Sequence, residues 1–370
     1  MSEKIAKTIC RYAQDRGYDY LRLEKQGASL VCACGHGHKT DYLRLDEKTE
    51  LSIADTFRRL VGAAEHDLFS DKRFKIADKR SIISGRATLL PAAEGEKLII
   101  TLSSEKPSVR RLTALGLDRP QLNVLKQSLK KKSGVILVAA PDENGASSTY
   151  YSLLAAAADN GRSTYSIETY PQQNIENVSV IVPPKYSGVN NVIERLLKTD
   201  SELIGVDAAL TENDLKTIWR AAGTGRLIIA VIRAKTAAET LNILKKAGLS
   251  GQEIASQLIL INVQKLFLRP CPRCLQTFDP GSGLKQTITQ RWPLAAKHWP
   301  KKLYRNKGCV ACNRRPADTK TAVFEQMRFL ADGRLQAGYQ PLIIDALAKA
   351  GLGLIQIEDL AAWALTDKKI

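Results

Sequence analysis

The stretch Val135–Ala158, VILVAAPDENGASSTYYSLLAAAA, limits the folds open to this chain more than any other stretch. Its first six residues are all apolar, as in strands that are buried on both faces of a parallel sheet. A turn follows at 141–146, and Ser147–Ala158 has the composition of a helix that the Asn160-Gly161 pair would stop. The sequence therefore predicts a strand, a turn and a helix of an α/β domain.

The turn has the layout of a phosphate-binding loop without most of the residues that bind phosphate. Such loops read G-x-x-x-x-G-K-[ST], where backbone N–H groups and the lysine hold phosphates and the hydroxyl holds magnesium. Here the second glycine and the hydroxyl remain, whereas alanine replaces both the first glycine and the lysine. The degenerate loop consists of Ala140, Gly145, Ala146, Ser147 and Ser148.

Two carboxylates, Asp142 and Glu143, stand where the phosphates would lie. The N-terminus of a helix attracts anions, so we expect these side chains to settle against the helix that follows. They would then fill the site and repel a nucleotide. An ordinary strand, turn and helix without any ligand is the competing interpretation.

The length and the charge of the chain narrow its class. A chain of 370 residues suggests two or three domains. No uninterrupted apolar run approaches membrane-spanning length, and residues 1–17 lack the apolar core of a signal peptide, so we expect a cytoplasmic protein. The net charge of +17 favours an anionic partner, which is a membrane surface, a nucleic acid or an acidic protein face.

Residues 1–105 are predicted to form a small α/β domain. Lys4–Arg16 and Ser52–Glu65 have helical patterns, and the segments around them alternate as strands do. The predicted strands are Tyr18–Leu23, Ala28–Cys34, Asp41–Leu45, Ile82–Leu89 and Lys97–Leu102. A polar linker at 106–111, which contains Pro107, separates this domain from the rest of the chain.

Residues 112–370 are predicted to form a second, larger domain. Apolar, β-branched runs alternate there with helical patterns, which indicates a mostly parallel sheet. The predicted strands beyond the loop are Tyr165–Ile167, Val178–Val182, Leu203–Val206 and Leu227–Ile232, and the predicted helices are Leu122–Lys132, Val189–Lys198, Asp214–Ala222 and Ala237–Ala247. Pro341–Leu365 also has helical periodicity.

Four cysteines form two C-x₂-C pairs, Cys271 with Cys274 and Cys309 with Cys312. Each pair can place two thiolates on one ion, and two pairs complete a closed tetrahedral Cys₄ zinc site. Since no ligand position stays open for water, we expect a structural Zn²⁺ ion within an insertion at about 264–326. A redox function is the alternative, but neither pair follows a thioredoxin-like strand.

A second group alternates along one stretch and consists of Cys32, Cys34, His36 and His38. Two glycines interrupt the stretch, and residues two apart on a strand rarely close a tetrahedron around a metal. We therefore predict a hairpin turn with incidental cysteines rather than a ligand set. The sequence assigns no role to Cys10.

Several motifs, in the right order, resemble those of the assembly ATPases of type II secretion and type IV pili. The matching segments are Leu90–Glu96 (LPAAEGE), Leu112–Leu122, Thr224-Gly225, Leu303–Cys312 (LYRNKGCVAC) and Thr321–Met327 (TAVFEQM). The resemblance covers nearly the whole chain. It implies a small N-terminal α/β domain, a RecA-like P-loop NTPase-type domain, a tetracysteine zinc insertion and C-terminal helices. Members of that family form hexameric rings.

The chain departs from this family at the motifs for nucleotide and magnesium. Ala146 occupies the position of the phosphate-loop lysine. In the magnesium-side segment, Asp200–Thr211, Ala208 occupies the glutamate position and Leu210 the arginine position. Asp207 directly precedes the lost glutamate.

Further family positions have changed in other segments. Of the family's acidic segment, only Glu168 remains. In the N-terminal domain, Cys32 and Cys34 replace two arginines that would reach the nucleotide, whereas Arg73 and Arg86 still match arginines of that domain.

Two arginines, Arg226 and Arg233, occupy the family's two histidine positions. If both line the former nucleotide site, they make it more positive, and the cleft could bind an anion without hydrolysing it. We favour instead ion pairs with Asp142 and Glu143 that hold the cleft shut.

Phosphoryl transfer depends on positioned lysine, magnesium and arginine charges, and loss of one charged stabiliser typically costs about 10²–10³-fold in rate. Losses at several segments therefore predict a pseudo-ATPase that uses neither ATP nor Mg²⁺. We expect an accessory or regulatory subunit of a pilus or secretion machine, peripheral at the inner membrane. Its expected partners are a motor ATPase or the inner-membrane platform protein, in a homo- or hetero-oligomeric ring.

Two alternatives stay open. A divergent ATPase that is active or only binds nucleotide would have to use Gly145, Ser147, Glu168 and Asp207. A zinc-containing nucleic-acid-binding protein is favoured by the net charge and by the basic, aromatic stretch His298–Lys307. Because the family insertion already accounts for the cysteines, nucleic acid is not the partner we expect.

Overall fold

The structure of the chain is a computed structural model. It describes residues 2–16, 18, 20–26, 29–36, 39–45, 56–59, 70–77, 82–93, 95–103, 109–184, 188–279, 281–310, 312, 317–330, 334–336 and 338–366. Two compact units divide the chain, Met1–Ser108 and Val109–Ile370. Among the helices in these ranges, none has both the length and the apolar character needed to cross a bilayer.

The first unit is an antiparallel sheet with a helix packed against it. The described elements are α1 (Ser2–Asp15), β1 (Tyr20–Gln26), β2 (Ser29–His36), β3 (Lys39–Leu45), β4 (Ser70–Ala77), β5 (Ile82–Ala92) and β6 (Gly95–Ser103). The strand order is β3-β2-β1-β6-β5-β4. Residues 56–59 are helical, and the rest of the predicted helix Ser52–Glu65 lies outside the described residues.

The cysteines of this unit belong to its core. Cys10 on α1 and Cys32 and Cys34 on β2 have no solvent exposure. The sulfur atoms of Cys32 and Cys34 lie 3.7 Å apart, because residues two apart on a strand point to the same face. Strands β2 and β3 form a hairpin, as the sequence predicts, while His38 and the side chain of His36 lie outside the described part of the structure.

The second unit is built on a seven-stranded sheet of order β15-β12-β7-β11-β10-β8-β9. Every neighbouring pair is parallel except β12 with β15. The strands are β7 (Gly134–Ala139), β8 (Thr164–Glu168), β9 (Val178–Ile181), β10 (Leu203–Asp207), β11 (Leu227–Ile232), β12 (Leu258–Arg269) and β15 (Ala317–Arg328). The prediction of an α/β fold with a mostly parallel sheet is confirmed.

Helices flank this sheet. They are α2 (Arg119–Leu129), α3 (Ala146–Ala158), α4 (Val189–Leu196), α5 (Glu212–Gly223), α6 (Ala237–Lys246), α7 (Gly251–Gln257), α8 (Gly281–Arg291), α9 (Leu342–Gly351) and α10 (Ile357–Thr366). Capping boxes fix the starts of α2, α5 and α7, where an N-cap side chain and the third helical residue satisfy each other's backbone N–H groups. The last two, α9 and α10, are the C-terminal helices that the sequence predicts.

Two strands, β12 and β15, were not predicted from the sequence. They pair antiparallel at the edge of the sheet, and the predicted insertion at 264–326 contains half of β12 and most of β15. Between them lie α8 and a two-stranded ribbon of β13 (Leu275–Phe278) and β14 (Leu303–Asn306). The part of the insertion outside the main sheet is thus smaller and more regular than the sequence indicates.

Candidate functional site

The carboxyl ends of the parallel strands bring the predicted nucleotide-site residues to one edge of the sheet. The degenerate loop follows β7, Glu168 and Asp207 end β8 and β10, and Arg233 follows β11. These strands are adjacent in the sheet, and Asp207 on β10 pairs with Glu168 on β8. In open α/β sheets, this edge is where ligands bind.

The backbone of the loop has kept the shape that its glycine provides. Gly145 has a φ angle of +80°, in the left-handed region, and is the residue before α3. A Cβ atom at this position would lie 3.0 Å from Nε2 of Gln264 and 3.2 Å from Cδ1 of Leu266. Both the φ angle and the close neighbours favour glycine here. Glu143 also has a positive φ angle, of 62°, which marks a tight turn.

Strand β12 ties the loop down through polar side chains. The amide nitrogen of Gln264 donates to the carbonyl of Asn144 over 2.7 Å, and Oε1 of Gln264 accepts from the hydroxyl of Thr149 over 2.5 Å. Oδ1 of Asn144 accepts from the backbone N–H of Leu266 over 3.0 Å. Gln264 is 2% exposed, so these bonds satisfy a buried amide and tie the loop to β12.

On the magnesium side of the loop, a hydroxyl meets a carboxylate. The Oγ atom of Ser147 donates to Oδ2 of Asp207 over 3.0 Å. Ala208 and Leu210, which stand where the resemblance places a glutamate and an arginine, are partly buried and pack against the apolar core. Two positions that are charged in the family therefore contribute here to packing.

One of the predicted ion pairs forms, between Arg233 and Asp142. Nε of Arg233 lies 2.7 Å from Oδ1 of Asp142, and both side chains are more than two-thirds exposed. The expected attachment of the carboxylates to the helix is not observed, because Asp142 turns to Arg233 and, among the described residues, neither it nor Glu143 bonds to the first turn of α3. An ion pair this exposed stabilises little, so it does not hold the cleft shut.

Arg226 does not lie at this edge, which corrects the prediction that both arginines could line the site. It directly precedes β11, at the amino end of the strand, and its guanidinium donates to the carbonyls of Thr224 and Leu197. Since β11 runs the full depth of the sheet, Arg226 and Arg233 are separated by its length. Arg226, at the family's first histidine position, therefore bonds to backbone carbonyls away from the candidate site.

Glu168 is the centre of a buried network. It is 1% exposed and accepts hydrogen bonds from the hydroxyls of Tyr151 and, over 2.5 Å, Ser166. Ser166 in turn contacts the hydroxyl of Tyr150 at 2.6 Å, and the backbone N–H of Gln172 donates to Tyr151. Burial raises the pKa of Glu168, and the nearby Asp207 adds to this effect, while the hydroxyl bonds oppose it.

Sequence reasoning missed Gln264, which satisfies polar groups of the loop and of α3. Gln264 and Asn262 interrupt the apolar run LILINVQKLFL of β12, and a polar residue in such a run requires a buried partner. That pattern signals a polar contact. It does not reveal that the partner of Gln264 is the loop, since Asn144 is 120 residues away.

The four cysteines of the two C-x₂-C pairs come together between β12 and β15. The sulfur atoms all lie within 4.8 Å of one another, with 3.7 Å between Cys274 and Cys312 and 3.6 Å between Cys309 and Cys312. Four sulfurs bound tetrahedrally to zinc at about 2.3 Å would lie about 3.8 Å apart. Donor type and spacing both fit a closed zinc site.

A family model described as "Type II/IV secretion system protein" matches residues 57–337. The protein transport protein HofB homolog of Escherichia coli is 26% identical over 273 residues, which cover 72% of this chain and 58% of that protein. The type IV pilus assembly ATPase PilB of Thermus thermophilus is 24% identical over 68% of this chain and 28% of its own length. This chain therefore spans only part of the curated relatives it matches.

Solved structures share the fold over nearly the whole chain. The ATPase DotB of Legionella pneumophila superposes with a TM-score of 0.67 at 13% identity, covering 96% of this chain and 93% of that chain. The pilus retraction motor PilT with bound ADP gives 0.63 at 18% identity, covering 97% and 96%. On the match of the family model to most of its length, this chain belongs to the type II/IV secretion system protein family.

Proposed function

We propose that this chain is a pseudo-ATPase of the secretion and pilus motor family, which acts through protein contacts and does not hydrolyse ATP. The observation that carries the proposal is the composition of the loop edge. Alanine stands at the lysine position 146, and the neighbouring Asp142 and Glu143 place negative charge where phosphates would need positive charge. Arg233 and Asp142 pair and cancel each other's charge, so this pair adds no net positive charge to the loop edge.

The electrostatic requirements of phosphoryl transfer support this proposal. A lysine, a magnesium ion and arginines stabilise the charge that spreads over the transferred phosphoryl group. With Ala208 and Leu210 packed against the core, the magnesium side offers Asp207 and the partly buried Ser147. Gln264 meanwhile ties the loop to β12 through the carbonyl of Asn144 and the hydroxyl of Thr149.

The proposed role is that of an accessory or regulatory subunit of a pilus or secretion machine. The relatives include ATPases of type IV pilus assembly and of type II secretion, which motivates a motor ATPase or an inner-membrane platform protein as partner. In this role the chain works in the cytoplasm at the inner membrane, in a ring of its own copies or a mixed ring. The cysteine cluster carries one structural zinc ion.

Isolation of the tagged chain from its native cells tests this role. We expect a motor ATPase or a platform protein to co-purify, and the same partners to be absent from a matched isolation of an unrelated tagged protein. Recovery of neither would contradict the accessory role. Phosphate release by the isolated chain in the presence of Mg²⁺ would contradict the lack of catalysis.

A divergent active ATPase is the second candidate, and one contact favours it. The 3.0 Å bond from Ser147 to Asp207 joins a hydroxyl and a carboxylate, which are the two kinds of oxygen that Mg²⁺ takes at a phosphate loop. If this pair binds magnesium, Ser147→Ala and Asp207→Asn would each abolish phosphate release. Equal release by both variants and the unchanged chain would point to a contaminating ATPase.

A further inference from the structure

The cysteine-containing insertion holds a groove that the proposed function does not use. Its volume is about 670 Å³, and its walls come from the β13–β14 ribbon, the start of α8 and residues 299–303. Phe278 and Trp299 supply aromatic wall surface, and Lys285, Lys301 and Lys302 line the groove as exposed cations.

The charge of this part of the chain is strongly one-sided. Residues 269–307 contain nine Lys and Arg and a single acid, Asp279, so they hold about half of the net charge of +17. The carboxylate of Asp279 accepts from the backbone N–H of Gly281 over 3.0 Å and thereby caps α8. Within the described parts of the chain, neither Lys301 nor Lys302 pairs with a carboxylate. Asp279 also lines the groove, but it stands against Lys285, Lys301 and Lys302, so the potential of the groove stays positive.

The walls of the groove are held in place by the end of α9. A Cβ atom at Gly351 would lie 2.6 Å from Cβ of Pro300, and one at Gly353, whose φ angle is +70°, would lie 2.8 Å from Cδ2 of Leu275. These close approaches fix the ribbon and the segment before β14 against α9. The groove is thus formed before any partner binds, which lowers the entropy that binding costs.

Each aromatic ring of the groove has a cation over one of its faces. The guanidinium carbon of Arg305 lies 4.3 Å from the ring centroid of Phe278, and Nζ of Lys285 lies 5.9 Å from that of Trp299. A nucleic-acid base that stacked on the same face would have to displace the cation, whereas a smaller apolar side chain can also contact the edges of the rings. A bilayer surface is broad and flat and does not enter a concave groove.

We propose that this groove binds an acidic polypeptide segment, with an apolar side chain in the groove and carboxylates on Lys285, Lys301 and Lys302. A polypeptide supplies both parts of this complement, and Asp or Glu side chains reach lysines on either side of an extended backbone. The residues that line the groove are far from the nucleotide loop in the sequence, and none of them belongs to the loop. The function of the groove does not depend on whether the loop binds ATP.

Fluorescence anisotropy with a labelled acidic peptide tests the proposal on the full, zinc-loaded chain. The probe is a short peptide of alternating Glu and Asp with one central Phe. We expect saturable binding that weakens steeply with salt. Lys301→Glu with Lys302→Glu should weaken it at least about tenfold, and replacing the Phe of the peptide by Ala should weaken it several-fold.

The matched control is Lys130→Glu with Lys131→Glu, which makes the same change of charge on two exposed lysines at the end of α2. This control should bind the peptide as the unchanged chain does. Should the groove variant lose zinc, Lys285→Glu on α8 provides an independent test and should weaken binding in the same direction. If the α2 control weakens peptide binding as much as the groove variant does, the loss comes from the change in net charge, and the proposal is overturned. The absence of peptide binding, or tighter binding to single-stranded oligothymidylate or phosphatidylglycerol vesicles, would overturn it as well.

Discussion

The cysteine cluster and the degenerate loop belong to the same unit of the chain, yet they differ in what maintains them. The cluster contains all four donors a zinc ion requires, at spacings that fit one. The loop has kept its glycine and its turn, but protein side chains supply its contacts, with Gln264 bonded on both sides of it. The cluster therefore offers a complete donor set for one ion, whereas the loop offers a turn whose observed contacts come from β12.

Removal of the metal should therefore have the largest effect. Chelation of zinc, or Cys309→Ser, should lower the free energy of unfolding of the second unit by several kcal/mol, because binding energy of structural zinc is folding energy. Elemental analysis combined with urea unfolding measures both metal content and stability. We expect one zinc per chain, and no zinc in the variant.

The control for that experiment is the double change Cys32→Ala and Cys34→Ala, which alters the other cysteine group. Since the two sulfurs are buried core groups on β2, this variant should keep its zinc. Zinc loss there, or a zinc-free Cys309→Ser variant as stable as the unchanged chain, would remove the contrast between the two sites.

Loss of the loop's protein support should come next in size. Gln264→Ala leaves the carbonyl of Asn144 and the hydroxyl of Thr149 without their partner, and such unsatisfied buried groups cost about 1–3 kcal/mol. Urea unfolding of the second unit measures the change. Gln276→Ala, on an exposed residue of β13, is the matched control and should shift stability by less than about 0.5 kcal/mol. Equal stability of both variants would mean that the loop does not depend on β12.

The buried network at Glu168 should make stability depend on pH. Because burial raises the pKa of Glu168, the folded state binds this proton more tightly than the unfolded state, and stability falls as the pH rises from the ordinary value of 4.5 through the raised one. Glu168→Gln should flatten that part of the profile, since an amide does not titrate. Unfolding followed over this pH range should show no flattening for Glu176→Gln, which changes an exposed carboxylate. Parallel profiles for Glu168→Gln and the unchanged chain would contradict the assignment.

The smallest effect is expected at the exposed ion pair. Arg233→Ala should change the free energy of unfolding by less than about 1 kcal/mol, because the pair with Asp142 lies in solvent. Arg220→Ala breaks the similarly exposed pair with Glu194 on a different face and should have an effect of the same size. A much larger loss for Arg233→Ala would mean that this pair does hold the loop edge together.

Much of the fold could be predicted from the sequence because the local signals agree with the tertiary structure. The apolar run before the loop forms β7, and α5, α6 and α7 begin at the polar caps Thr211, Thr236 and Ser250. Strands β12 and β15 escaped prediction, since their pairing joins residues far apart in the chain and Asn262, Gln264 and Glu325 dilute their apolar pattern.

The candidate site was predictable only in its residue types. The spacing of the cysteines defines a candidate ligand set by itself, and the structure brings the four sulfurs together. At the loop, the sequence could not tell which cation Asp142 would meet. The whole length of β11 separates Arg226 from Arg233, so the two arginines lie at opposite ends of that strand.

Calorimetric titration of ATP with Mg²⁺ into the zinc-loaded chain tests the proposed loss of catalysis most directly. Ala146→Lys with Asp142→Ala, which restores the cation and removes a carboxylate, serves as the comparison. We expect no saturable heat and no phosphate release for the unchanged chain, with binding gained by the comparison variant. Saturable, magnesium-dependent binding by the unchanged chain, accompanied by phosphate release, would show that other residues replace the missing lysine and would contradict the pseudo-ATPase proposal.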